Sequence, residues 1–569
     1  MNRNQKSFIK RVCALMLSTT MCLTAFPLAV CAQEDGLSRD AYGYQGMVSA
    51  ADPVAAQIGL DILKQGGNAA DAAVATAFAL GLVEPAASGI GGSGFMIYYD
   101  AAAKKSTVLN YYYECPRGLG LSDFFDVAKD KAEGKGGKQA VVPGMVAGML
   151  KVNELFGSMS MGELTAPTIK MAEEGAEVSA FMEETYLDYY EKLLHYPETA
   201  RIFTDDGFPY MEGDLFTNPE YADTLRIIAE QGFDGFYKGA VAEDIVRTIR
   251  DAGGCLSMQD LADYSVQIQE PYTSTYRGYT VATCPPSSGG AIVLEALNIA
   301  EHFPISTYEH NGLKYVHTWG EIFHVALADY RRSIDDPEYT DQARAKGLIT
   351  KTYGNMRAKL VKPDSTWELG PVGDAYLYAP KDDPESHTTH LSVIDKAGNM
   401  VSMTNTHGDF FGTQATVYNR GFLIENTQAF TYNGHDYVPE AGKKGKSPMC
   451  PTLIFDPQGR PFAAIGTPGS NRIMATNALV ISNMIDYGMD IQTALDQPRL
   501  FQARNGNLQL EGGISSDLTK DLEKLGHKVV WHPEYDSYFG GAHCVSYDAK
   551  TGQLHGAADP RRSGQALGY

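Results

Sequence analysis

The sequence predicts a mixed fold of the α/β type in its broader, α+β sense, with helices and strands grouped rather than strictly alternating. Three observations predict it. Apolar side chains recur at helical spacing between residues 53 and 82 and again between 145 and 265. From residue 388 onward the pattern changes to short alternating strands. The 58 glycines among 569 residues are enough for many tight turns and close backbone approaches. Length alone allows two to four domains.

Residues 1–32 stand apart. Arg3, Lys6, Lys10 and Arg11 precede an apolar run from Val12 to about Val30, and Val30-Cys31-Ala32 offers small residues for cleavage. This is the pattern of a bacterial secretory signal peptide, so a secreted or extracytoplasmic location is expected, with an uncleaved anchor as the alternative. Without this segment 43 basic side chains face 69 acidic ones, a net charge of −26. Such a balance argues against nucleic acid and anionic membranes as partners. Cys115, Cys255, Cys284, Cys450 and Cys544 remain, scattered and odd in number. They suggest buried thiols rather than a disulfide scaffold. Neither they nor the thirteen histidines show metal-ligand spacing, and no cofactor is expected.

Met47–Ala51 reads as a strand, and Asp52-Pro53 as the cap and first residue of a helix that Gly66-Gly67 stop. Asn68 caps an alanine-rich helix to about Leu82, suited to a buried position. Gly89 to Gly94 lead into the strand Phe95–Tyr99. A phosphate cradle would run from strand to loop to helix, so these glycines are expected to serve close packing. Thr107–Tyr112 is a further strand. Helices follow over Met145–Phe156, Leu164–Gly175, Ser179–Leu194, Tyr221–Gln231 and Val241–Ala252. Tyr276–Cys284 alternates as one strand, Pro285–Gly290 forms a turn, and helices span Ala291–Ala300 and Tyr315–Arg332. Residues 337–386, rich in charge and proline, are expected to be less regular than the rest, exposed and mobile.

The segment 388–406 reads as a hairpin around Lys396-Ala397-Gly398-Asn399. Centring the turn between Ala397 and Gly398 sets Thr388 opposite His407 with Thr406 beside it, within one residue of register. The Thr406 hydroxyl is then in reach of Thr388. A threonine hydroxyl is a weak nucleophile without a base. If the chain is cut between His387 and Thr388, the new α-amine, with a pKa of roughly 7.7–8.0, becomes that base. Ser288 and Cys450 are weaker candidates, since their surroundings read as a turn and a packed core.

Thr388-Thr389-His390-Leu391-Ser392-Val393-Ile394-Asp395 with Gly398-Asn399 resembles the small-subunit start of the γ-glutamyltransferase (glutathione hydrolase) family. Further matches in family order are Gly66–Ala72, Val83-Glu84-Pro85, Gly89–Gly92, Val142-Pro143-Gly144, Pro285–Gly290, Pro451-Thr452, Gly466–Gly469 and Ala558–Arg561. The resemblance implies a four-layer αββα sandwich of the N-terminal-nucleophile hydrolase type. It implies autocleavage into a large subunit, 33–387, and a small subunit, 388–569, that stay together as a heterodimer. Catalysis would pass through an acyl-enzyme on Thr388, released to water or an acceptor amine, on a small-molecule or peptide amide. Thr406 matches the supporting threonine, and Gly469-Ser470 the backbone oxyanion hole.

The donor-binding side departs from the family. The position of the aspartate that grips the donor amine falls on Ala429. Ser447 is kept, but Pro448 replaces its serine neighbour. Tyr112 stands where an arginine holds the donor carboxylate, and Gly408 where a polar residue is usual. Asn426 closes the set of substrate-side candidates. A donor other than a simple γ-glutamyl group is therefore an alternative expectation, and a silent binding protein of the same fold is another.

Overall fold

The computed structural model describes residues 38–118, 133, 136–334, 336, 340–367, 388–426, 442–503 and 505–569. The proposed signal segment, the leader before Thr388 and Ala429 lie outside them. Two seven-stranded sheets form the centre. The first runs, in spatial order, Gln565–Gly568, Gly46–Ala50, Thr388–Asp395, Met400–Thr406, Ser93–Asp100, Lys105–Tyr111 and Gln267–Gln269. The second runs Ala41–Gly43, Gln553–Ala558, His543–Asp548, Pro461–Ile465, Thr452–Phe455, Tyr279–Thr283 and Tyr272–Tyr276. Every strand pair within them is antiparallel.

Alternation along the strands decides what each face covers. Phe95, Ile97, Ile394 and Met400 pack in one core with Leu453, Ala463 and Val545 of the second sheet. Met96, Tyr98, Leu391, Val393, Val401 and Met403 pack in another with the helices Pro53–Lys64 and Ala69–Val83. The second sheet carries Gly290–Ala300 and Arg472–Asp486, completing helix, sheet, sheet and helix layers. Ala69–Val83 is buried at all fifteen positions, as its alanine content predicts. Asn68 and Asp71 cap its start reciprocally, and Asp395 accepts from Ala69 N at 2.9 Å. The last residue of the Thr388 strand thus holds a helix end.

Three expectations are corrected. Tyr276–Cys284 is not one strand: Tyr272–Tyr276 and Tyr279–Thr283 form a hairpin. Arg277 and Gly278 take φ values of 52° and 90° in its two-residue turn, a geometry for which Gly is suited. Residues 337–386 are not irregular throughout, because Gln342–Leu348 and Lys351–Ala358 are helices capped by Asp341 and Thr350. The hairpin register differs by one residue, with Thr388 opposite Thr406 rather than His407. Asp395 Oδ1 accepts from the amides of Ala397 and Asn399, so the turn closes around Ala397. The glycine loop serves packing as expected: a Cβ on Gly91 would lie 2.0 Å from the Leu423 carbonyl oxygen, and one on Gly92 2.3 Å from that of Thr406.

Candidate active site

Thr388 is the first residue of its strand, and its position follows from where the neighbouring strand ends. Gly46–Ala50 pairs with Thr388–Asp395 only from Leu391 onward, because Asp52 and Pro53 turn the chain into a helix. Thr388 therefore projects beyond that strand and keeps Met400–Thr406 as its sheet neighbour. The Thr388 hydroxyl donates to Thr406 Oγ1 at 3.3 Å, and Gly408 N donates to the same oxygen at 3.0 Å.

Pairing continues across the sheet. Thr406 lies opposite Ser93, and the Gly94–Tyr111 pair brings Tyr112 to the next position. Opposed residues of antiparallel strands point to the same face. Thr388, Thr406, Ser93 and Tyr112 thus form a row at one end of the space between the sheets. With about 4.8 Å between strands, Ser93 lies about 10 Å from Thr388.

The remaining candidates attach to this row. Gly408 has φ 82°, and a Cβ there would meet the Asn426 carbonyl at 2.4 Å. Asn426 N donates to the His407 carbonyl, and the Asn426 side chain exchanges hydrogen bonds with Asp409. Ser447 N donates to Ser287 O at 2.9 Å, and Ser288 Oγ to Met449 O at 2.7 Å, so the 285–290 turn fixes the loop carrying Ser447 and Pro448. Ser288 is therefore a structural hydroxyl. Cys450 is buried beside Asn477, and burial pushes its thiol well up. Cys115, Cys284 and Cys544 are buried as well, and Cys255 is partly exposed.

Tyr112 is buried against Phe95 and Tyr113. Burial raises its phenol well above the usual value, Glu425 adds to the rise, and the Ser447 hydroxyl opposes it. The cations near that wall are engaged. Lys444 Nζ binds the Tyr112 carbonyl at 2.9 Å and lies 3.2 Å from Glu114, while Arg117 pairs with Asp260 and Asp263.

Gly469 and Ser470 have φ of 124° and 54°. Among the described residues neither amide donates to a backbone carbonyl. Their turn leaves the second sheet at the Thr388 end: a Cβ on Gly466 would lie 2.2 Å from the His390 ring, and His390 is two residues along from Thr388. His390 bonds Thr404 and Ser392, and burial keeps its imidazole neutral.

Sequence reasoning missed several groups. Arg562 donates to the Thr388 carbonyl at 2.9 Å, and its guanidinium lies 3.6 Å from Glu84. Both are 3% exposed at the side chain. Burial pushes Glu84 up to about 7 against the pull of Arg562. The doubled arginine after Asp559-Pro560 was the available signal. Glu84 was masked by its role in ending a helix. Glu425 is fully buried, and among the described residues its carboxyl makes no hydrogen bond; the nearby Ser93 hydroxyl favours the ionised form, but burial keeps the pKa well above the ordinary range. Among the described residues no His, Cys, Asp and Glu group could hold a metal ion.

The family profile described as Gamma-glutamyltranspeptidase matches residues 55–569. A glutathione hydrolase proenzyme of Bacillus subtilis (strain 168) is 33% identical, with 97% of each chain aligned. The Acylase ACY 1 proenzyme of Pseudomonas sp. (strain SE83) is 31% identical over 92% of this chain and 94% of its own. Among solved structures, a cephalosporin acylase from Bacillus halodurans superposes with a TM-score of 0.81 at 28% identity, over 96% of this chain and 99% of that one.

Proposed function

This chain belongs to the gamma-glutamyltranspeptidase family, and on that premise we propose that it is a self-processing amide hydrolase and acyltransferase with Thr388 as nucleophile. The observation that carries the reading is the Thr388 hydroxyl held 3.3 Å from Thr406 at the first residue of its strand. In maturation Thr388 Oγ adds to the His387 carbonyl carbon. The C–N bond breaks as the nitrogen takes a proton, and water cleaves the resulting ester to leave a carboxylate on His387 and an α-amine on Thr388. Fragments 33–387 and 388–569 then form the mature enzyme. In turnover the α-amine takes the Oγ proton as Oγ adds to the donor carbonyl, and the departing amine receives that proton. Water or an acceptor amine releases the acyl group. The amides of Gly469 and Ser470 would stabilise the oxyanion. Thr388→Ala tests the reading: the parent should run as two bands on a denaturing gel and release p-nitroaniline from acyl anilides. The variant should do neither, and a parent that remains one band would sink the proposal.

The donor is a γ-glutamyl or related acyl group. A second reading, a donor lacking the α-carboxylate, is favoured by Tyr112 and by the engagement of Lys444 with Glu114 and backbone carbonyls. A carboxylate buried against that wall without a cation costs on the order of several kcal/mol. Turnover of γ-glutamyl-p-nitroanilide compared with 4-aminobutanoyl-p-nitroanilide, which lacks only the α-carboxylate, separates the two; the γ-glutamyl compound being strongly preferred would rule out the second. We place the protein outside the cytoplasm, on the strength of residues 1–32. Among the described residues no helix is long and apolar enough to cross a membrane.

A further inference from the structure

We propose that Arg562 and Glu84 are a positioning pair that sets the proton affinity of the Thr388 α-amine, and so the acid limit of catalysis. The inference rests on Thr388 being the N-terminal nucleophile. The geometry is direct. The Arg562 guanidinium donates to the carbonyl oxygen of Thr388 itself at 2.9 Å, which puts a fixed positive charge about 5–6 Å from the α-nitrogen of the same residue. The bond is buried. The Arg562 stem runs against Gly541, where a Cβ would lie 2.5 Å from Arg562 Cδ, and its head lies over the Phe181 ring at 4.8 Å. The cation therefore has little freedom to move away from the carbonyl.

A positive charge at that distance disfavours the ammonium form of the α-amine, and low surrounding polarity strengthens the effect. The amine must be neutral to take the Oγ proton, so Arg562 extends activity toward lower pH. Glu84, 3.6 Å from Arg562, sets how much of that charge the amine experiences. Burial pushes the Glu84 carboxyl up to about 7. Below that pH it is neutral and Arg562 acts with its full charge. Above it the carboxylate offsets Arg562 and lets the ammonium form persist to higher pH.

Other charges surround the pair. Asp52, the cap of the Pro53–Lys64 helix, faces Glu84 and raises its pKa. Asp559 and Arg472 face Arg562 with opposite effects. Arg39 donates to the Arg562 carbonyl, and His543 is kept neutral by burial, with its pKa lowered to about 3. Asp559 is itself bound to Arg499 and Arg561, and burial raises Asp52, behind Glu84, to about 6, so Glu84 is the group in direct contact with Arg562 that titrates around neutrality.

The test is the pH profile of kcat/KM for an acyl p-nitroanilide, measured on the mature parent, Arg562→Gln, Arg562→Lys and Glu84→Gln. Arg562→Gln should move the acid limb up by about one unit or more, with Arg562→Lys restoring most of it. Glu84→Gln should move the limb down or remove an inflection near pH 7. A uniform loss at all pH values with unmoved limbs would overturn the proposal. If Arg562→Gln does not mature, Glu84→Gln decides alone, because it keeps the cation and its bond to Thr388. A parent that neither processes nor turns over would instead refute the nucleophile assignment.

Discussion

At the scale of single residues, Thr406 Oγ1 receives both the Thr388 hydroxyl and the Gly408 amide. The second bond fixes the oxygen that orients the first. Thr406→Ala is expected to lower kcat/KM about fivefold to tenfold, matching a hydrogen bond of about 1 kcal/mol, while Thr406→Ser keeps most of the activity. Steady-state kinetics on the processed variants measures this. Thr388 and Thr406 were legible in the sequence because a hairpin has only one free parameter, its register. Spacing set that only to within one residue, since Asp395 closes the turn with side-chain bonds that spacing does not reveal. Arg562 was not legible, because 174 residues separate it from Thr388 and only the three-dimensional path joins them.

At the scale of elements, the site depends on two sheets ending at one place. The contact between Gly466 and His390 sets how closely the Pro461–Ile465 strand approaches the Thr388 strand. Gly466→Ala would push a methyl carbon to within 2.2 Å of the His390 ring. It is expected to destabilise the fold by about 1–3 kcal/mol, read from urea unfolding, and to reduce turnover. Helices with strong caps were readable almost residue by residue, as Asn68 and Asp71 illustrate. The Tyr272–Thr283 hairpin was not, because β-branched and aromatic residues flank its short Arg277-Gly278 turn closely on both sides. The two helices after residue 340 were hidden by charge and proline nearby, though their Asp341 and Thr350 caps are visible in retrospect.

At the scale of the molecule, cleavage before Thr388 would cut a chain whose halves share both sheets. In the first, Thr388–Asp395 and Met400–Thr406 lie between Gly46–Ala50 and Ser93–Asp100. The fragments are therefore expected to co-elute on gel filtration without denaturant and to separate only on unfolding; early separation would contradict shared sheets. Near the chain end, Arg561 is buried between Asp559 and Glu511. Arg499 and Arg561 hold Asp559 below the usual carboxylate range although burial alone would raise it. Arg561→Gln leaves two buried carboxylates poorly compensated, an expected loss of about 3–5 kcal/mol measurable by urea unfolding. The overall layering was legible as an implication of the family motifs, whereas the donor pocket depends on which groups already have partners, which no spacing reports. The account stands or falls on Thr388 becoming an N-terminus and then an ester. Mass spectrometry of protein acid-quenched during turnover of an acyl anilide tests this most directly. The prediction is a small fragment beginning at Thr388 and carrying the acyl group on that residue; an uncut chain, a different first residue or an acyl group elsewhere would contradict it.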